Sequence, residues 1–181
     1  MSNKLGSERR TALLAHLTET WGTVSLAVSA LSEADASESL HGGWTILQIL
    51  EHLVLAEVGM LRMVRAGQPV DDSLADAAKE SELSIKVSSR AKPVPAPERA
   101  VPTGRFPTIA TAVEALTAAR VATIAYVRET ETDLDCVTVN HPFFGVVSGH
   151  AMGLLIAGHA LRHLDQISEI KRSGPGTATR G

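Results

Sequence analysis

Aromatic residues are nearly missing from this chain: they make up 3% of its 181 residues, although 44% are hydrophobic. Aliphatic side chains and alanine must therefore fill the core, which favours close-packed helices over a sheet sandwich. Cysteine is limited to Cys136, so no internal disulfide can staple the fold, and the cytoplasm is the simplest expected location. Cys136, in "DLDCVTVN", has no evident base or helix cap to lower its pKa and reads as structural. Neither sign of charge dominates; the formal net charge is −3 and no Lys/Arg cluster stands out, which argues against a nucleic-acid partner. No uninterrupted apolar run reaches the roughly 18 residues of a membrane span. The opening "MSNKLGSERR" has no apolar segment of the signal-peptide kind. GxGxxG and P-loop patterns are missing. "HALRH" lacks the glutamate of the metalloprotease motif. The single Glu-x-x-His spacing, Glu38 to His41, falls in an expected loop, where it cannot build a carboxylate-bridged di-iron bundle.

What is present is helical periodicity. Leu14, Leu17, Trp21, Val24, Val28 and Leu31 recur in steps of three and four, the seam of a bundle helix, with Ser7 as the candidate N-cap. "SEADASESLHGG" then breaks the pattern as a loop. In "WTILQI", Thr45 and Gln48 fit a capping box, and Trp44 and Ile49 fall where a hydrophobic staple forms; this second helix runs to about Arg65. A third begins after Pro107 and fades near Glu131. A fourth spans roughly Val147 to Arg172 and stops at Gly174-Pro175. About 40 residues separate the second and third helices, far more than the roughly 2–8 of a direct bundle connection. The chain is thus expected to return along the bundle and leave those helices parallel, with "DSLADAAKESELSI" forming a short helix on the way. Residues 1–172 are expected to form one domain, followed by a loose tail over 173–181.

The fourth helix carries two histidines on its core side. At about 100° per residue, His163 lies about 40° from His159, within the arc of Met152, Leu155, Ile156, Gln166 and Ile170, whereas His150 lies about 180° away. Two readings stand side by side. They are core histidines with hydrogen-bond partners, or they share a metal ion, since one-turn spacing presents two imidazoles to one cation. A third candidate ligand is His52 in "QILEHLVLAEVG". At a rise of about 1.5 Å per residue, antiparallel second and fourth helices bring His52 to the level of His159 and His163. His16, His41 and His141 read as solvated or hydrogen-bonded side chains, the last two in loops.

Two segments carry a resemblance. "WTILQILEHLVLAE", with His52 eight residues after Trp44, and "AGHALRHLDQI", with His159, His163 and Gln166, resemble the DinB-like superfamily of four-helix metal-binding proteins. The connectors "VPAPERAVPTGRFP" and "NHPFFGVVSGH" resemble it more loosely, and the likeness runs from about residue 10 to 172. It implies an all-α, four-helix bundle of up-down-down-up topology with His52, His159 and His163 as metal ligands. Its members include thiol-dependent S-transferases and a mycothiol-dependent maleylpyruvate isomerase, and many have no assigned reaction.

Three neutral imidazoles leave a divalent ion's charge uncompensated and a position open, the pattern of a catalytic site. The expected activity is a metal-dependent transferase that uses a low-molecular-weight thiol on a small-molecule substrate, or a hydrolase; the alternative is a non-catalytic metal-binding or structural stress-response bundle. Zinc, nickel and iron all suit such a site. Gln166 either orients a metal-bound group or marks the edge of the core. Arg105, in "PTGRFP", is a candidate for an anionic substrate. Leu154, Ala157, Leu161 and Leu164 form a second apolar stripe opposite the histidines, which is either a homodimer seam or a surface covered by the long crossover.

Overall fold

The computed structural model describes residues 2–91 and 94–173. Five α-helices dominate it: α1 (Ser2–Ser29), α2 (Ile46–Arg65), α3 (Ala77–Ser88), α4 (Ile109–Glu129) and α5 (Gly149–Ser173). A small sheet joins β1 (Gln68–Pro69), β2 (Val137–His141) and β3 (Gly145–Ser148) in the order β1-β2-β3, both pairs antiparallel. α1 and α2 each pack against both α4 and α5, and aliphatic side chains fill the space between them. One cluster, around Leu13, Leu17, Met152 and Leu155, also takes in β2 and β3. The other, around Val24, Ile46, Ile49, Leu116 and Ile167, lies toward the start of α2.

Local chemistry explains most element boundaries. Thr45 caps α2 by accepting from the Gln48 N–H at 3.2 Å, and the Gln48 side chain accepts from the Thr45 N–H at 2.9 Å. Two orphan donors of the first turn are thereby satisfied. α4 begins at a Thr108 cap, and its free N–H groups at Ile109 and Ala110 also reach the carboxylate of Glu33 at 3.0 and 3.2 Å. Glu33 belongs to a 3-10 turn (Glu33–Asp35) inside the segment expected to be plain loop.

Four details differ from the sequence reading. α1 starts at Ser2, so Ser7 is an interior residue and not the cap; its carbonyl accepts the Thr11 hydroxyl at 2.9 Å. Leu13, Leu17, Thr20, Val24 and Val28 are the buried positions of α1, while Leu14, Trp21 and Leu31 are partly buried. A helix wedged between α4 and α5 buries a broader arc than one seam, so the strict three-four pattern misplaces its centre. Val147 is a strand residue, and α5 starts two positions later, with the Ser148 hydroxyl accepting from the Ala151 N–H at 3.0 Å. The sheet itself follows from alternating burial in β2, where Val137, Val139 and His141 point inward. Gly145, at φ +67°, then lets the chain turn back into β3. The proposed stop at Gly174-Pro175 and the tail after it lie outside the described residues.

The long crossover does contain a helix. α3 is capped by Asp76 and lays Leu83 and Val87 onto α5. Gly158 permits this approach: a Cβ there would stand 2.5 Å from Val87 Cγ1. Ala157, in the second apolar stripe of α5, is fully buried, and Leu154, Leu161 and Leu164 remain partly exposed.

α4 is long and apolar enough by composition to cross a membrane, alone among the described helices. It also carries Arg120, 1% exposed, whose guanidinium meets the Glu57 carboxylate of α2 at 2.7 and 3.1 Å. Nη1 of the same arginine donates to the Leu17 carbonyl and the Thr20 hydroxyl of α1 at 3.1 and 3.3 Å. A fully paired buried charge of this kind ties three helices together, which is how a core helix of a helical domain is held.

Candidate metal centre

His52 of α2 and His159 and His163 of α5 converge, with one ring nitrogen from each lying within 4.8 Å of the others. Ring centroids are 5.1 Å apart for His52 and His159, 4.7 Å for His52 and His163, and 4.6 Å for the two α5 histidines. The helical spacing of the α5 pair places those two on one face, and the start of α2 brings the third to their level.

The orientation of each ring is set from behind. His52 Nδ1 lies 2.7 Å from the Ala100 carbonyl. A carbonyl only accepts, so Nδ1 carries the proton and Nε2 is left as a lone pair. His163 Nδ1 donates to Gln166 Oε1 at 2.8 Å, which leaves its Nε2 in the same state. His52 Nε2 faces His159 Nε2 at 3.3 Å. Rings that donate outward to a carbonyl or amide while offering the other nitrogen inward have the arrangement metal-binding histidines commonly adopt. Gln166 thus acts on a ring, one turn from His163, and its position at the core edge serves that contact. Trp44 contributes beyond its place before the α2 cap: its ring packs on His52 with centroids 4.8 Å apart.

Electrostatics keep the three rings neutral, the state a metal requires. Burial holds His159 well below the usual histidine range, helped by His163 and His52. Burial likewise pulls His163 down to about 3, followed by the charge effect of His52; the Gln166 bond opposes this, and Arg162 and Arg90 reinforce it. His52 is lowered by burial against the upward pull of its bond to Ala100. Donor type, ring orientation and protonation state all suit a divalent cation.

A residue the sequence reading passed over, Glu51, ties the crossover to α2 next to His52. Glu51 is buried, and its carboxylate accepts from the N–H groups of Thr103, Gly104 and Arg105 at 2.8, 2.9 and 3.1 Å, and from the Thr103 hydroxyl at 3.3 Å. Burial opposes its charge, but the backbone donors prevail and its pKa falls below the ordinary value. The turn needs Gly104, whose φ is +81°. Consecutive residues of α2, Glu51 and His52, therefore grip the crossover at 103–105 and at Ala100. Arg105 is oriented by this turn, but its side chain is 60% exposed and its Nε lies 3.9 Å from Glu51. The structure gives it no place among the three rings.

The other histidines separate clearly. His41 is exposed in a turn. His141 is a correction: it is a buried strand residue, with its ring stacked on Phe144 at 4.9 Å and its Nδ1 accepting from the Phe143 N–H at 3.2 Å. His150, set apart from the triad by its helical angle, is buried in a second polar cluster with Glu80 and Asp135. Arg9 fills that cluster. Its guanidinium donates to Asp135 at 2.5 and 2.9 Å, to Glu80 at 2.7 Å and to His150 Nδ1 at 3.0 Å. The Cys136 thiol is pushed up by burial and then by nearby carboxylates, as expected of an inert side chain.

A sequence model of the family described as the DinB superfamily matches residues 16–167. No curated protein and no solved structure matches the chain.

Proposed function

Because the chain belongs to the DinB superfamily, we propose that His52, His159 and His163 bind one divalent metal ion, zinc, nickel or iron, and that the protein is a metal-dependent transferase using a low-molecular-weight thiol. Hydrolysis of a small substrate is the nearest variant of the same chemistry. The observation that carries the reading is the pair of outward Nδ1–H donors at His52 and His163, which turn two lone pairs toward the third ring. A divalent ion held there supplies Lewis acidity, lowering the pKa of a bound water or thiol. The chain's own part is to keep the imidazoles neutral, to fix their orientation through Ala100 and Gln166, and to hold the crossover that supplies Ala100 against α2 through Glu51.

The up-down-down-up bundle belongs to this reading, with α2 antiparallel to α5 and α3 regarded as part of the crossover. A cytoplasmic location follows from it too, since a thiol cosubstrate is maintained in a reducing compartment. A homodimer would use Leu154, Leu161 and Leu164, the part of the α5 stripe left partly exposed. An unchanged sedimentation coefficient for Leu161→Glu in a dimeric wild type removes that proposal.

Metal content decides the centre. Elemental mass spectrometry on untagged protein should find about one divalent ion per chain, lost in His159→Ala. Wild-type protein that is metal-free and refuses added zinc, nickel and iron overturns the reading; one proton between His159 Nε2 and His52 Nε2 would then satisfy the cluster as a structural core. Metal binding without turnover across thiols and esters would leave a non-catalytic metal-binding bundle.

A further inference from the structure

Among the described residues, His52 is the one ring of the triad packed by an aromatic side chain from outside it. The Trp44 indole lies 4.8 Å away between centroids, tilted by 45°. Side chains of a helix lean toward its N-terminus, so His52 reaches back toward the start of α2, where Trp44 precedes the Thr45 cap. The Ala100 carbonyl holds His52 through one hydrogen bond at Nδ1, 2.7 Å long. A single bond of this kind leaves an imidazole able to swing about the line from nitrogen to oxygen. A rigid ring packed on the imidazole opposes that swing.

Trp44 is itself placed without help from the triad. His41 and Gly42, at φ +52° and +72°, turn the chain back, and Ser39 then bridges Thr45 in antiparallel fashion. The Ile46 and Leu47 N–H groups donate to the Glu38 and Ala36 carbonyls at 2.9 and 3.2 Å. The Thr45–Gln48 capping box fixes the chain on the other side, and the indole packs partly buried on the cluster at the start of α2. The π electrons of an indole attract positive charge more strongly than those of any other side chain. Coordination draws electron density out of an imidazole and leaves its ring partly positive. This neighbour therefore favours a metal-bound His52 over a free one.

From these observations we infer that Trp44 is a positioning residue of the metal centre, which holds the His52 ring with Nε2 directed into the triad and favours its metal-bound state. The inference rests on the triad being a metal centre. It gives Trp44 a task apart from a hydrophobic staple, and it makes the turn before α2 part of the centre's support, alongside the crossover at Ala100.

The test titrates metal-free, full-length protein with cobalt(II), read by the cobalt absorption bands and by competition with a chelator. Trp44→Leu should bind cobalt about three- to tenfold more weakly than wild type, with shifted bands that report an altered ligand geometry. Trp44→Phe, which keeps an aromatic ring and is mild enough to fold, should recover most of the affinity and the wild-type bands. Urea unfolding of the metal-free proteins separates positioning from packing. A Trp44→Leu protein that loses stability yet keeps wild-type bands and affinity makes Trp44 a packing residue and overturns the inference. A Trp44→Phe protein as weak as Trp44→Leu overturns it too, because the contact would then owe nothing to an aromatic ring. Wild-type protein that takes up no cobalt, zinc, nickel or iron removes the centre itself and the positioning role with it. Unchanged cobalt binding in Trp44→Leu removes the role alone and leaves the centre standing.

Discussion

Two clusters in this molecule contain the residue types that hold metals, and each gathers three of them within 4.8 Å. They differ in where the protons point. In the Glu80–Asp135–His150 cluster a guanidinium from α1 donates to both carboxylates and to the imidazole, so the chain supplies its own cation. In the His52–His159–His163 cluster, the protons of His52 and His163 are donated outward and the lone pairs are left inside. The first is a closed latch that ties α1 to α3 and to the segment before β2; the second is a socket. Ligand inventories cannot separate the two, whereas the direction of each hydrogen bond does.

The comparison can be broken at either end. Arg9→Ala should give the largest effect. It leaves two buried carboxylates uncompensated, at a cost of about 3–5 kcal/mol, measured by urea unfolding of metal-free protein. A loss below about 1 kcal/mol, the scale of an exposed pair, would mean the latch is not structural. Gln166→Leu comes next: loss of the acceptor behind His163 should weaken metal binding about 10–100-fold, with little change in the stability of metal-free protein. An unaltered metal affinity would show that the ring is held by packing alone.

The pH response should be smaller and has a definite sign. His163 titrates near 3 in the folded chain against an ordinary 6.5, so the unfolded chain takes up protons first as pH falls. Its contribution to stability is complete above about 6.5 and is lost progressively down to about 3. Asp35 behaves separately. The Lys171 contact lowers it to about 2, with the Ser32 N–H assisting against burial, so its contribution is lost only below the ordinary carboxylate value. Metal-free His163→Asn protein should therefore show a flatter stability profile between pH 6.5 and about 4 than wild type, and the same acid limb below it. Parallel profiles throughout would refute the assignment.

The second helix and the α5 histidines were legible because their signals are local. A capping box is read within four residues, and a helical angle follows from sequence separation alone. His150 shows the limit of that reasoning: its angle removed it from the triad but said nothing of what covers that side of α5, where α3 and the segment around Asp135 bury it. Glu51 was illegible for a similar reason, since its partners lie about 50 residues away in a turn without regular structure. The hairpin of β2 and β3 was hidden among helical expectations because each strand is short. The inward Val137, Val139 and His141 were its single trace.

The double grip of α2 on the crossover divides that connection into two kinds of chain. From Ala100 onward its path is bound to the same helical turn that carries His52, so a residue added between Ala100 and Arg105 would have to misalign either the ring or the carboxylate. Between Ser88 and Ala100 the described residues make no side-chain hydrogen bond to α2, so added length there leaves both grips in place. The centre is thus insulated from most of its longest loop, and relatives of this chain should vary in length before Ala100 and keep their spacing after it.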